Sequence, residues 1–110
     1  MHMVVFITAG GRGEAEKIGS TLVEEGLAAC VNAVGPITSV YRWKGRVERA
    51  EEHLLIVKTV GDRLGELTER VKSLHSYSVP EIIALRIEGG SAEYLRWLEE
   101  GSAGGEKGQD

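Results

Sequence analysis

The chain has 110 residues, 42% of them apolar and 27% charged, a composition that excludes a disordered chain and leaves room for one globular domain. Its 17 acidic residues outnumber its 13 basic ones, for a formal net charge of −4, and the lysines and arginines are scattered among acids; this excludes the basic face that a nucleic-acid partner requires. The single cysteine, Cys30, excludes an intrachain disulfide and a multi-cysteine zinc site and fits a cytoplasmic protein, and no apolar run reaches membrane-spanning length.

Met3 to Thr8 is short, apolar and rich in β-branched residues, and reads as a buried strand. No basic stretch or cleavage site accompanies it, so no secretory signal is expected. Ala9-Gly10-Gly11-Arg12-Gly13 is a loop. A glycine loop between a strand and a helix can bind phosphate. Here Glu16 stands where a further glycine would complete the pattern, and Glu14 and Glu16 would repel an anion, so a plain connector is expected. Glu14 to Glu25 reads as a helix with Ile18, Leu22 and Val23 as its apolar positions and Gly26 as its stop.

Leu27 to Val34 reads as a second strand, and Gly35-Pro36 breaks or kinks it. Cys30, flanked by Ala29 and Val31, is expected to act as a small buried apolar residue on the face that carries Asn32. Ile37, Ser39, Tyr41 and Trp43 alternate with Thr38, Val40 and Arg42, Lys44-Gly45 is a turn, and a returning strand begins at Val47 and ends in the apolar run Leu54 to Val57. This is one long hairpin whose tip a domain this small cannot cover.

Leu64, Leu67, Val71 and Leu74 recur at spacings of three and four, an apolar helical stripe over Asp62 to Leu74 with Asp62 as N-cap. Ile82 to Ile87 reads as the last core strand. Ser91 is placed to cap a final helix bearing Tyr94, Leu95, Trp97 and Leu98, and residues 101–110 read as a disordered tail after a domain of residues 1–100. The order β-α-β-β-α-β plus a helix predicts an α+β, ferredoxin-like sandwich with helices on one face of an antiparallel sheet.

Between the second helix and the last strand lies His75-Ser76-Tyr77-Ser78-Val79-Pro80-Glu81, an imidazole, a phenol and a carboxylate in one short loop. Two readings stand. His75 and Glu81 could share a zinc or copper ion, completed by ligands from another subunit. Alternatively, His75 caps the helix C-terminus and Glu81 pairs with a basic neighbour. Trp43, Tyr41 and Tyr77 could wall a pocket or anchor an interface. His2 and His53 have no evident partner. No nucleophile elbow or redox cysteine pair is present, so a binding protein rather than an enzyme is expected.

Taken together, Gly26-Leu27-Ala28-Ala29-Cys30-Val31-Asn32, Ser39-Val40-Tyr41-Arg42-Trp43-Lys44-Gly45, Glu52 through Thr59, His75 through Ile82 and Tyr94-Leu95-Arg96-Trp97-Leu98 resemble the CutA divalent-cation tolerance proteins, in order over most of the chain. The resemblance implies a ferredoxin-like subunit in a PII-like homotrimer, with a neighbour covering the hairpin tip. It implies divalent cations, copper above all, as partners and no catalytic activity. It makes His75 and Glu81 the metal ligands, with Trp43, Glu52, Lys58 and Tyr77 lining a pocket between subunits. Two departures stand out: Ser76 replaces the usual proline after the loop histidine, and Ile7 stands where some members carry a cysteine implicated in copper binding. A PII-like sensor would instead bring Lys58 and Arg42 to a small anion, and a trimeric scaffold would use the loop only for its interface.

Overall fold

Residues 1–102 are described by a computed structural model. The elements are β1 (His2–Ala9), α1 (Arg12–Glu24), β2 (Cys30–Trp43), β3 (Arg46–Val60), a 3-10 turn (Gly61–Arg63), α2 (Leu64–Leu74), β4 (Ile82–Arg86) and α3 (Ala92–Gly101). The four strands form one sheet in the order β2-β3-β1-β4, with every neighbouring pair antiparallel. This is the split βαβ arrangement that the element order predicts.

Alternation along β1 fixes what the sheet faces see. Val5, Ile7 and Ala9 are buried, and their partners Val57 and Leu55 on β3 and Ala84 and Ile82 on β4 join them on the helix side. Onto that face α1 lays Ala15, Ile18, Gly19 and Leu22, and α2 lays Leu67 and Val71 flanked by Leu64 and Leu74. Val23, an expected member of the α1 stripe, is exposed because the buried positions follow the three-and-four spacing from Ala15, where small residues permit close approach. Gly26 ends α1 with φ 72°; its N–H bonds Val23 O at 3.1 Å while Leu27 N–H bonds Leu22 O at 2.9 Å, the double closure of a Schellman cap.

Several boundaries differ from expectation. Leu27 and Ala28 are buried, yet the strand starts only at Cys30, because the backbone of this stretch is closing the cap. Cys30, at that strand end, is half-buried rather than enclosed; its Sγ lies 3.9 Å from Asn32 Oδ1. Gly35-Pro36 does not end β2. It forms a bulge opposite His53, between the pairs Val34↔Leu54 and Ile37↔Glu52, and the strand continues. Asp62 does not cap α2: the 3-10 turn intervenes, and Arg63 occupies the cap position without a side-chain capping bond to the helix N-terminus.

Lys44 and Gly45, both at positive φ, make the two-residue hairpin turn. The hairpin lengthens the molecule to 49 Å against 28 and 21 Å in the other directions. α3 starts at Ser91, whose side chain accepts from Tyr94 N–H at 3.3 Å, and buries Leu98. Gly101 and Ser102, expected in the tail, belong to the fold. Ser102 is buried, donates to Leu98 O at 2.8 Å and accepts from Arg63 Nε at 3.1 Å. The rest of the expected tail, 103–110, lies outside the described residues. His2 has a partner at the far end of the sequence, with Nε2 2.6 Å from Glu99 Oε2.

Candidate functional site

The 75–81 loop leaves α2 at His75, whose backbone has left the helix (φ −81°, ψ 143°) while its N–H still bonds Val71 O at 2.9 Å. The imidazole turns inward, with none of the side chain exposed to solvent. Nε2 lies 2.7 Å from the carbonyl oxygen of Thr8, and Nδ1 lies 3.1 Å from the backbone N–H of Tyr77. A carbonyl only accepts and an amide only donates, so the arrangement calls for the neutral ring protonated at Nε2. Both nitrogens are then spent inside the chain. The ring braces the loop to the end of β1 and does not line the cavity that Glu81 lines.

Glu14 completes that brace. Its carboxylate accepts from Ser76 N–H at 2.7 Å, Ser76 Oγ at 3.1 Å and Gly10 N–H at 3.3 Å, and lies 3.6 Å from His75 Nδ1. Partial burial pushes its pKa upward, but the two Ser76 bonds and the Gly10 amide outweigh burial and hold it below the usual glutamate value. The glycine loop is therefore a connector whose Gly10 amide serves this carboxylate.

Beyond the brace the loop opens onto a cavity of about 580 Å³. Tyr77 reaches across it, its hydroxyl donating to Glu52 Oε2 at 2.7 Å. Burial, the bond to Glu52 and the charges of Glu52 and Glu14 push the Tyr77 phenol up to about 12. Glu52 is only 7% exposed, and among the described residues that phenol is the hydrogen-bond partner of its carboxylate. Glu81 lines the same cavity, Oε1 3.5 Å from the Thr8 hydroxyl. Tyr41, Trp43, Val40 and Val79 form an apolar wall, and Ser39 and Ser78 fill the remaining edge.

Of the expected site residues, Trp43, Glu52, Tyr77 and Glu81 thus meet at one cavity. Lys58 does not. It is absent from the lining and lies toward the base of the hairpin, opposite Cys30, where its Nζ bonds Asn32 Oδ1. Arg42 also lies outside the lining, and no basic side chain is in it among the described residues. An anion sensor using Lys58 and Arg42 has no seat at this cavity. Sequence reasoning missed Thr8 and the stapling role of Glu14; their partners lie 73 and 62 residues away, and no local pattern announces them.

Among the described residues, no three His, Cys, Asp or Glu side chains gather to hold a metal ion alone. The cavity offers oxygen donors: the carboxylates of Glu52 and Glu81 and the hydroxyls of Thr8 and Tyr77. That set suits part of a divalent cation's coordination shell, not a closed site.

A profile of the CutA1 divalent ion tolerance proteins matches residues 3–101. The divalent-cation tolerance protein CutA of Thermus thermophilus is 53% identical over 100 residues, 91% of this chain and 97% of that protein. The chloroplastic CutA of Arabidopsis thaliana is 50% identical over 97 residues, 88% of this chain but 53% of that longer protein. The solved Thermus thermophilus structure superposes with a TM-score of 0.92 at 51% identity, covering 94% of this chain and 100% of that one. The periplasmic CutA of Archaeoglobus fulgidus gives 0.90 at 44% identity over 93% and 99% of the two chains. No helix among the described residues is long and apolar enough to cross a membrane. The chain belongs to the CutA1 divalent ion tolerance family.

Proposed function

We propose that this chain is a non-enzymatic, cytoplasmic divalent-cation tolerance protein that works as a homotrimer and takes up copper or another divalent cation at the cavity beside the 75–81 loop. The observation that carries the reading is the pair of carboxylates, Glu52 and Glu81, on one cavity whose lining holds no basic side chain among the described residues. Glu81 and Glu52 are the donors from one subunit, and a neighbouring subunit supplies the remainder. His75 serves as the brace behind them. Oxygen donors without imidazole or thiolate discriminate little between divalent ions, and affinities then follow the intrinsic order that peaks at copper. Weak, unselective uptake suits tolerance to several ions.

The trimer rests on the sheet's second face. Phe6, Val4, Ile83 and Leu85 share the side away from the helices, and Ile83 and Leu85 are half-exposed there. An uncovered apolar sheet face on so small a domain is an interaction surface. Trimeric order follows the resemblance, and the single cysteine favours a reducing compartment. Calorimetric titration with Cu²⁺, Zn²⁺ and Mn²⁺ tests the reading. Glu81→Gln and Glu52→Gln each weaken copper binding about tenfold, the loss of one charged contact. Unchanged affinity in both variants overturns it.

A further inference from the structure

We infer that Gly10 is a positioning residue of the cation site: its lack of a side chain lets the Tyr77 phenol reach the Glu52 carboxylate. The inference rests on the reading of the Glu52–Glu81 cavity as a divalent-cation site, and goes beyond it in giving one glycine of the loop after β1 a task there. Gly10 stands behind the cavity and is not part of its lining.

Tyr77 is held on three sides. Its hydroxyl donates to Glu52 Oε2 at 2.7 Å, its backbone N–H donates to His75 Nδ1 at 3.1 Å, and its ring lies against the His75 ring with centroids 4.6 Å apart. The residue before it is clasped by Glu14, which accepts from both the amide and the hydroxyl of Ser76. The fourth side is Gly10. A Cβ there would stand 3.3 Å from the Tyr77 hydroxyl oxygen and 3.6 Å from Cε1. The first distance is tighter than ordinary van der Waals contact, so the phenol has to give way. Its backbone and ring are pinned, and the displacement falls on the hydroxyl that holds Glu52. A buried carboxylate freed from its donor no longer presents its oxygens to the cavity in one orientation, and ligand orientation sets the affinity of a metal site.

Gly10 differs in this from its neighbours. A Cβ at Gly11 or Gly13 meets nothing within 4 Å. Backbone conformation does not demand glycine at position 10: the positive-φ glycines among the described residues are Gly26 and Gly45, so alanine adopts the Gly10 backbone without strain. Alanine also keeps the N–H that donates to Glu14 Oε1 at 3.3 Å.

Calorimetric titration of the assembled protein with Cu²⁺ tests the assignment. Gly10→Ala weakens copper binding about three- to tenfold, while Gly11→Ala and Gly13→Ala stay within about twofold of wild type. Tyr77→Phe weakens it to a similar degree and removes the crowded oxygen, so adding Gly10→Ala to Tyr77→Phe changes the affinity by less than about twofold. Circular dichroism and gel filtration check folding and assembly, and Gly10→Ser, with the same Cβ, replaces an alanine variant that fails either. Unchanged affinity in Gly10→Ala, with Glu52→Gln still weakening copper, overturns the inference and leaves the proposed function standing. A Gly10→Ala effect that persists in Tyr77→Phe, or an equal effect from Gly11→Ala, also overturns it. A wild type that binds no copper, or Glu52→Gln and Glu81→Gln proteins that both bind as the wild type does, refutes the cavity as a cation site and the inference with it.

Discussion

The Tyr77 hydroxyl donates a 2.7 Å hydrogen bond to the buried carboxylate of Glu52, tying the loop after α2 to the middle of the long hairpin. Tyr77→Phe leaves that carboxylate without its donor at an expected cost of about 1–3 kcal/mol, read as a fall in melting temperature. The same contact sets a pH signature. The folded phenol is pushed up to about 12, above the unfolded value, by burial and then by Glu52. Between the two values the unfolded chain has released the proton and the folded chain has kept it, so stability falls as pH rises from about 10 toward 12. Melting scans across that range show a shallower fall for Tyr77→Phe than for the wild type.

His75 and Glu81 separate under mutation. His75→Ala removes a buried ring, leaves the Thr8 carbonyl and the Tyr77 amide unpaired, and costs about 2–4 kcal/mol. Divalent-cation binding by the folded variant is retained, because neither imidazole nitrogen faces the cavity. Glu81→Gln leaves stability within about 1 kcal/mol of wild type, as for a surface change, and weakens cation binding. Calorimetry alongside thermal melts on both variants checks the contrast; a His75→Ala protein that is stable but blind to copper reverses it.

What the sequence announces and what it hides differ by the range of the interaction. The apolar, β-branched run of β1, the Leu64–Leu67–Val71–Leu74 stripe and the Ser91 cap are local patterns, and each appears in the fold where expected. Asp62 misleads because a favourable cap residue also suits a 3-10 turn, and nothing local distinguishes the two. The meeting of Trp43, Glu52, Tyr77 and Glu81 was legible through resemblance, not through spacing. The burial of His75 was legible through neither, because its partner is the carbonyl of Thr8, 67 residues away, and backbone groups carry no side-chain signature.

Glu14 governs the loop on the acid side. Its folded pKa lies below the usual glutamate value, so its contribution is complete above that value and is lost as pH falls through the folded one. Glu14→Gln keeps the shape but surrenders the charge-assisted bonds to Ser76 and Gly10, and is expected to cost about 1–3 kcal/mol at neutral pH. As pH falls through that depressed value the wild type converges toward the variant. Hydrogen exchange at the Ser76 amide offers a local readout: faster in Glu14→Gln at pH 7, with the gap closing in acid.

The second sheet face decides the assembly. Leu85 pairs with Val4 on the side away from the helices and is 54% exposed in the isolated chain. Leu85→Lys places a charge on that face without touching the helix-side core, so the subunit's secondary structure persists in circular dichroism. Burying the ammonium group in a subunit interface is costly, so self-association fails. Sedimentation equilibrium returns three times the 11.9 kDa chain mass for the wild type and the single chain mass for the variant. Stability falls with it, because so small a domain depends on assembly to bury enough apolar surface. A wild type that sediments as a monomer removes the trimer from the proposed function, and a Leu85→Lys protein that remains trimeric moves the interface to another face.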